Sequence, residues 1–198
     1  MMTIHEASSG RTFSLDAREA APMASTPDMF HGDPEASTHG PLSVGVPGEI
    51  AGYWAAKQKF GNRSIRCAVS REGDGSNVLC VATFMMKSWR RLVAPTVRMC
   101  REGITVSWTQ AEKLRWDELT DPEMRRVFID PSTGEPWLEG DVYTRDDLAD
   151  TLTALAEAGD SGNQDLGFYT GPLGRDFVTD LRELGGIMTE EDLASYKV

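Results

Sequence analysis

The chain has 198 residues, with 31 Asp+Glu against 20 Lys+Arg and a formal net charge of −11. Its length allows a real core, and 40% hydrophobic with 26% charged residues excludes wholesale disorder. The acidic balance excludes a general nucleic-acid binder, which needs a basic face, and no run of about 18 apolar residues is present to cross a bilayer as a helix. The charge is uneven. Residues 1–120 carry 14 basic and 13 acidic side chains, whereas 121–198 carry 6 and 18. The C-terminal part therefore reads as a solvated acidic helical surface.

In chain order, Met2-Thr3-Ile4-His5 and Thr12-Phe13-Ser14-Leu15 alternate in polarity around Ser8-Ser9-Gly10, which predicts two short strands and a turn. Residues 22–47 hold Pro22, Pro27, Pro34, Pro41 and Pro47, a density that excludes a long helix. Pro47-Gly48-Glu49 opens a helix to about Phe60, with Ile50, Tyr53 and Trp54 on one face and Gly61 as its stop. Residues 66–87 differ from their surroundings, with a turn cluster at Gly73-Asp74-Gly75-Ser76-Asn77 before the β-like run 78–84. A helix restarts near Ser88, and Pro95 suits the first turn of a segment ending at Gly103. An amphipathic segment over about 106–119, a short helix from Pro122 through Phe128 and a turn at Asp130-Pro131-Ser132-Thr133-Gly134 follow.

The last third carries the clearest local code. Thr144 with Asp147 resembles a capping box, and Leu148, Leu152 and Leu155 fall at helical spacing before Gly159 as the expected end. Leu173, Phe177, Leu181 and Leu184 make a second stripe closed by Gly185-Gly186. Thr189 with Asp192 caps a third helix carrying Leu193 and Tyr196.

Chemistry is sparse. No P-loop, dinucleotide fingerprint, H-E-x-x-H or G-x-S-x-G is present. Cys67, Cys80 and Cys100 give no C-x-x-C pair, and with His5, His31 and His39 match no zinc spacing, so no metal site is expected. Cys67 and Cys80 are a disulfide pair only if the compartment is oxidising. Asn62-Arg63-Ser64 is the single N-x-[ST] sequon, a glycosylation acceptor if the protein is routed outward. Arg18, just after the second predicted strand, has two readings. Its guanidinium fork can bind a carboxylate with two parallel hydrogen bonds, or it can pair internally with Asp16 or Glu19.

Three motifs in order, the last of them in two stretches, carry a resemblance. Asp16-Ala17-Arg18-Glu19-Ala20-Ala21-Pro22 comes first, then Gly40-Pro41-Leu42-Ser43-Val44-Gly45-Val46-Pro47-Gly48-Glu49-Ile50-Ala51-Gly52-Tyr53. Phe168-Tyr169-Thr170-Gly171 and Leu184-Gly185-Gly186-Ile187-Met188-Thr189-Glu190-Glu191-Asp192-Leu193-Ala194-Ser195-Tyr196 complete the set. Together they resemble the large subunit of γ-glutamyltranspeptidase (glutathione hydrolase). The likeness covers 1–65 and 88–198 and leaves 66–87 as an insertion loop in an otherwise single, incomplete large-subunit domain over 1–198.

The resemblance implies an α/β fold: a helix-rich part of the large subunit of an N-terminal-nucleophile hydrolase with an αββα sandwich, entered by two short strands. It implies a precursor that cleaves itself into large and small subunits. The freed Thr of the small subunit attacks the γ-glutamyl amide of glutathione, and water or an amino acid or peptide takes the γ-glutamyl group. No cofactor is implied. Arg18 occupies the position that binds the α-carboxylate of the γ-glutamyl group, while the nucleophilic Thr and the oxyanion hole belong to the small subunit. These 198 residues alone are accordingly expected to be inactive, and a truncated form acting only as an interaction partner is the competing reading. The N-terminus shows no signal peptide. An extracellular face of the plasma membrane, reached through an N-terminal anchor outside these residues, is implied by the family alone.

Overall fold

In the computed structural model, which describes residues 1–61, 88–116, 119, 121–162 and 166–198, the alternating N-terminal segment forms a hairpin. Strand β1 (Met2–Glu6) pairs antiparallel with β2 (Arg11–Leu15), with Met2 opposite Leu15 and Glu6 opposite Arg11. The connection is closed by the Ser9 and Gly10 N–H groups donating to the Glu6 carbonyl, with Gly10 at φ +67°, where a side chain is disfavoured. The sequon at Asn62, the insertion expected at 66–87 and the cysteines Cys67 and Cys80 lie outside the described residues.

The chain gathers into two compact units, Met1–Lys87 with Ser161–Val198, and Ser88–Asp160. The second unit is a central stretch of chain, and the first is formed by the stretches on either side of it. Among the described residues, β structure is confined to two two-stranded antiparallel sheets and two isolated bridges, Ala20–Val46 and Ile129–Pro136.

In the first unit the proline-rich stretch forms only two single 3₁₀ turns, Glu35–Ser37 and Pro41–Ser43, as its composition requires. Helix α1 (Glu49–Phe60) begins and ends where expected, with Gly61 as its C-cap. Its inward face differs from the expectation. Gly52 and Trp54 are buried, but Tyr53 is exposed. Its hydroxyl turns back one helical turn and donates to the Glu49 carboxylate.

The unit's core joins Val46 to Val178 and Leu181 of α6 (Pro172–Glu183), Met188, and Leu193 of α7 (Glu190–Ser195). Phe168, Phe177 and Tyr196 pack around them. Val178 rather than Leu184 completes the buried stripe. Leu184 falls at the C-cap of α6 and is 67% exposed. Thr189 and Asp192 form the capping box of α7 as read from the sequence, with hydroxyl and carboxylate each satisfying the other's backbone N–H.

The second unit is built on α2 (Trp89–Glu102) and α5 (Asp146–Asp160), which pack against each other. Arg90 pairs with Glu157 and Arg101 with Asp150, an order that makes the two helices antiparallel. The helix restarts next to Ser88 as expected, and Ser88 caps it by accepting from the Arg91 N–H, while the last residue of α5, Asp160, accepts from Ser88 Oγ and the Trp89 N–H.

Pro95 is not in the first turn but at the seventh position of α2, on its exposed side, where the helix forgoes one backbone bond. Gly159 does not stop α5, which continues to Asp160 with Gly159 buried. The expected Thr144–Asp147 box also gives way, because α5 starts only at Asp146 and Asp147 pairs with Arg126. The two-residue strands β3 (Ile104–Thr105) and β4 (Val142–Tyr143), too short for a sequence signal, place Tyr143 against Phe128 and Trp137. Helices α3 (Trp108–Trp116) and α4 (Pro122–Phe128) complete this unit.

Candidate functional site

The end of β2 leads directly to Arg18. Leu15 is buried, and the chain then turns outward through Asp16, whose Oδ1 accepts the Arg18 N–H at 3.1 Å. Two residues later Ala20 and Val46 exchange both backbone bonds, at 3.3 and 2.7 Å, so the motif around Arg18 is laced to the segment before α1. From the other end of the sequence, Tyr196 Oη donates to the Arg18 carbonyl at 2.7 Å.

This close approach depends on missing side chains. A Cβ on Gly48 would lie 1.9 Å from Tyr196 Oη and 2.6 Å from the Ala17 carbonyl oxygen. A Cβ on Gly52, one turn along α1, would lie 2.4 Å from Ala17 Cβ. Glycine is used at both positions because the Ala17 carbonyl and the Tyr196 hydroxyl fill the space beside Gly48 and the Ala17 side chain fills it beside Gly52.

Two aromatic side chains brace the same place. The Tyr169 and Tyr196 rings stack with centroids 5.6 Å apart, and Tyr169 Oη donates to the Pro47 carbonyl at 2.6 Å. Burial, then the neighbouring Tyr196, pushes the Tyr169 phenol up to about 12, against an opposing bond from the Ala51 N–H. Asp192 is buried. Its Oδ1 accepts the Met23 N–H at 2.6 Å, and its Oδ2 accepts the Thr189 N–H and hydroxyl at 2.8 and 2.7 Å. Burial works to raise this carboxyl, but those bonds outweigh it and leave it below the ordinary aspartate range. The short helix α7 thus holds the chain at Met23, just past Pro22.

The Arg18 side chain itself is open, 69% exposed, and donates through Nη2 to Glu19 Oε1 at 2.7 Å. The internal ion pair expected as one reading is therefore present, with Glu19. Asp16 engages the Arg18 backbone instead. An exposed pair of this kind is worth at most about 1 kcal/mol and exchanges readily for a competing carboxylate. It occupies one guanidinium nitrogen. Beside it is an open cleft of about 290 Å³, lined by Arg18, Glu19, Glu49, Gly52 and Tyr53 among others. The bond to Glu49, followed by burial, holds the Tyr53 phenol above its ordinary value, so it stays a donor. Arg18 brings a guanidinium to this cleft, beside the carboxylates of Glu19 and Glu49.

All three motif segments singled out in the sequence therefore meet in one unit. The residues that join them, Gly48, Tyr169, Asp192 and Tyr196, lay inside those segments without a signal for their role. The i, i+4 spacing of Gly48 and Gly52 was the one available hint that something packs closely on α1.

A model of the family described as Gamma-glutamyltranspeptidase matches residues 1–70 and 79–198. Among curated proteins, Scoloptoxin SSD14 of Scolopendra dehaani is 32% identical over 199 residues, covering 99% of this chain and 30% of that protein. Glutathione hydrolase 2 of Arabidopsis thaliana is 32% identical over 199 residues, covering 99% of this chain and 29% of that protein. Among solved structures, Helicobacter pylori gamma-glutamyltranspeptidase superposes with a TM-score of 0.75 at 30% identity, covering 99% of this chain and 50% of that one. The chain thus spans about 30% of the length of the curated relatives it matches. With nearly all of its residues matched in sequence, and its backbone in the same arrangement, the chain belongs to the γ-glutamyltranspeptidase family.

Proposed function

We propose that residues 1–198 are part of the large subunit of a glutathione hydrolase, in which Arg18 holds the α-carboxylate of a γ-glutamyl donor. The supporting observation is the convergence of the three family motifs on the backbone at Arg18, which fixes the base of the side chain and leaves its guanidinium open to the cleft. Glutathione is an anion and this chain is strongly acidic, so binding needs a local cation to overcome an unfavourable mean field. A guanidinium supplies it with a bidentate geometry that an ammonium cannot copy. The bond to Glu19 is exchanged for the substrate carboxylate, an inexpensive swap because both side chains are solvated.

On this reading the γ-glutamyl group is transferred from its amide to a Thr of the small subunit of the same precursor, then to water or to an amino acid or peptide acceptor. Residues 1–198 by themselves carry no turnover. The protein works at the extracellular face of the plasma membrane, where Asn62 is the glycan acceptor. The deciding experiment is steady-state kinetics of Arg18→Lys in the full protein that carries this chain, with a γ-glutamyl anilide as donor. We expect kcat/KM to fall by the equivalent of roughly 2–5 kcal/mol, with self-cleavage intact. A near-normal kcat/KM would return Arg18 to its pairing with Glu19.

A further inference from the structure

We infer that Tyr196 is a positioning residue for substrate binding, fixing Arg18 through a hydrogen bond from its hydroxyl to the Arg18 carbonyl. This rests on the reading of Arg18 given above. Arg18 lies past the end of β2, so no strand ladder holds its carbonyl. The Tyr196 hydroxyl does so at 2.7 Å, from a residue 178 positions away in sequence.

The tyrosine is itself fixed on three sides. Its backbone N–H donates to the Leu193 carbonyl at 3.1 Å, its ring stacks on Tyr169, and its hydroxyl sits where any side chain at position 48 would collide with it. Burial, with the nearby charges of Asp16 and Glu19, raises its phenol above the ordinary value and keeps it a donor. A guanidinium at the end of a long flexible side chain recognises a carboxylate fork only if its own base is fixed. The Tyr196 bond supplies that constraint at the Arg18 backbone. Its bond is to the Arg18 main chain, so its effect on substrate runs through the position of Arg18.

The test compares Tyr196→Phe, Tyr169→Phe and Arg18→Ala in the full protein, with a γ-glutamyl anilide as donor. Tyr196→Phe keeps the stacked ring and removes only the hydroxyl. We expect KM to rise about fivefold to tenfold while kcat stays within twofold, as for a lost ground-state positioning bond. Tyr169→Phe, which removes a bond to Pro47 instead, should leave KM within twofold. In an Arg18→Ala background, adding Tyr196→Phe should change kcat/KM by less than twofold, because the two residues act as one unit.

A wild-type KM for Tyr196→Phe, with Arg18→Ala strongly impaired, overturns the inference and leaves the reading of Arg18 standing. An Arg18→Ala enzyme with near-normal kcat/KM overturns that reading instead. Equal effects of Tyr196→Phe with and without Arg18, or an equal KM rise in Tyr169→Phe, show a merely structural tyrosine and also overturn the inference. A Tyr196→Phe protein that does not self-cleave shows a merely structural tyrosine and likewise overturns the inference.

Discussion

The two units hold themselves together by different means. In Ser88–Asp160, two regular helices lie antiparallel, their exposed ion pairs at Arg90–Glu157 and Arg101–Asp150 and their buried residues drawn from one face each. In the unit formed by the two ends of the chain, the critical segments are irregular, and single polar bonds over long sequence separations tie them down. Tyr196 reaches Arg18, Asp192 reaches Met23 and Tyr169 reaches Pro47. Irregular backbone must have its N–H and C=O groups satisfied one at a time, and glycines must clear the way for each partner. A site built so is exact in geometry and intolerant of added volume. A helix pair is tolerant of surface change.

The largest effect that would sharpen this contrast is expected at Gly48. Its φ of −112° suits any residue, so an added methyl meets no backbone strain, only the Ala17 carbonyl and the Tyr196 hydroxyl. One of those obstacles is main chain and cannot swing aside. Gly48→Ala should destabilise by about 3 kcal/mol, at the upper end of overpacking costs. For a protein of this size that is a fall in Tm of roughly 6–12 °C by calorimetry. The matching change in the other unit is Gly134→Ala. That glycine has φ +76° with open space around it, so it should lose only the backbone preference of about 1 kcal/mol. Equal losses at the two positions would break the comparison.

The same contrast explains what the sequence made legible. The start and approximate end of helix α1 are legible in the sequence, and so is the Thr189–Asp192 capping box, because helix starts and caps are local codes written within four residues. Arg18 was legible only through family likeness. Its two readings are chemically equivalent in sequence, and the structure realises one of them with Glu19. The errors are equally physical. Tyr53 was placed inward by periodicity, but the inward positions of α1 had to be small where Ala17 approaches, and the tyrosine turned to Glu49. Gly159 and Pro95 were read as punctuation, yet packing of α2 on α5 overrides both local preferences. The bonds from Tyr196, Tyr169 and Asp192 to distant backbone have no sequence signature at all, since any nearby carbonyl or amide would serve.

Asp192 should show the next largest effect. Asp192→Ala leaves the Met23 and Thr189 N–H groups without their acceptor and removes half of the α7 capping box. The expected loss is about 2 kcal/mol. Its pH signature separates it from a simple packing defect. The folded carboxyl lies below the ordinary aspartate range, so its contribution is fully present above the unfolded value, near pH 4, and is lost as pH falls through the folded one. Wild-type Tm should therefore drop on acidification below about pH 4 more steeply than that of Asp192→Asn. Parallel curves for the two proteins would show that the depressed carboxylate is not coupled to folding.

The smallest effect belongs to the helix pair. Arg90 and Glu157 meet at 3.1 Å with side chains 59% and 57% exposed, so water screens them and both lose rotamer freedom on pairing. Removing the charge with Arg90→Met keeps most of the side-chain stem and should cost at most about 0.5 kcal/mol. The residual cost should vanish in molar salt, where the screening length falls to about 3 Å. The N-terminus of α2 keeps its own anchor, since Asp160 accepts from Ser88 and from the Trp89 N–H whatever residue 90 carries. Urea melts of Arg90→Met at low and high salt test this directly. A loss above about 1.5 kcal/mol that persists in high salt would mean the pair is organised as tightly as the bonds around Arg18, and the two units would then not differ in kind.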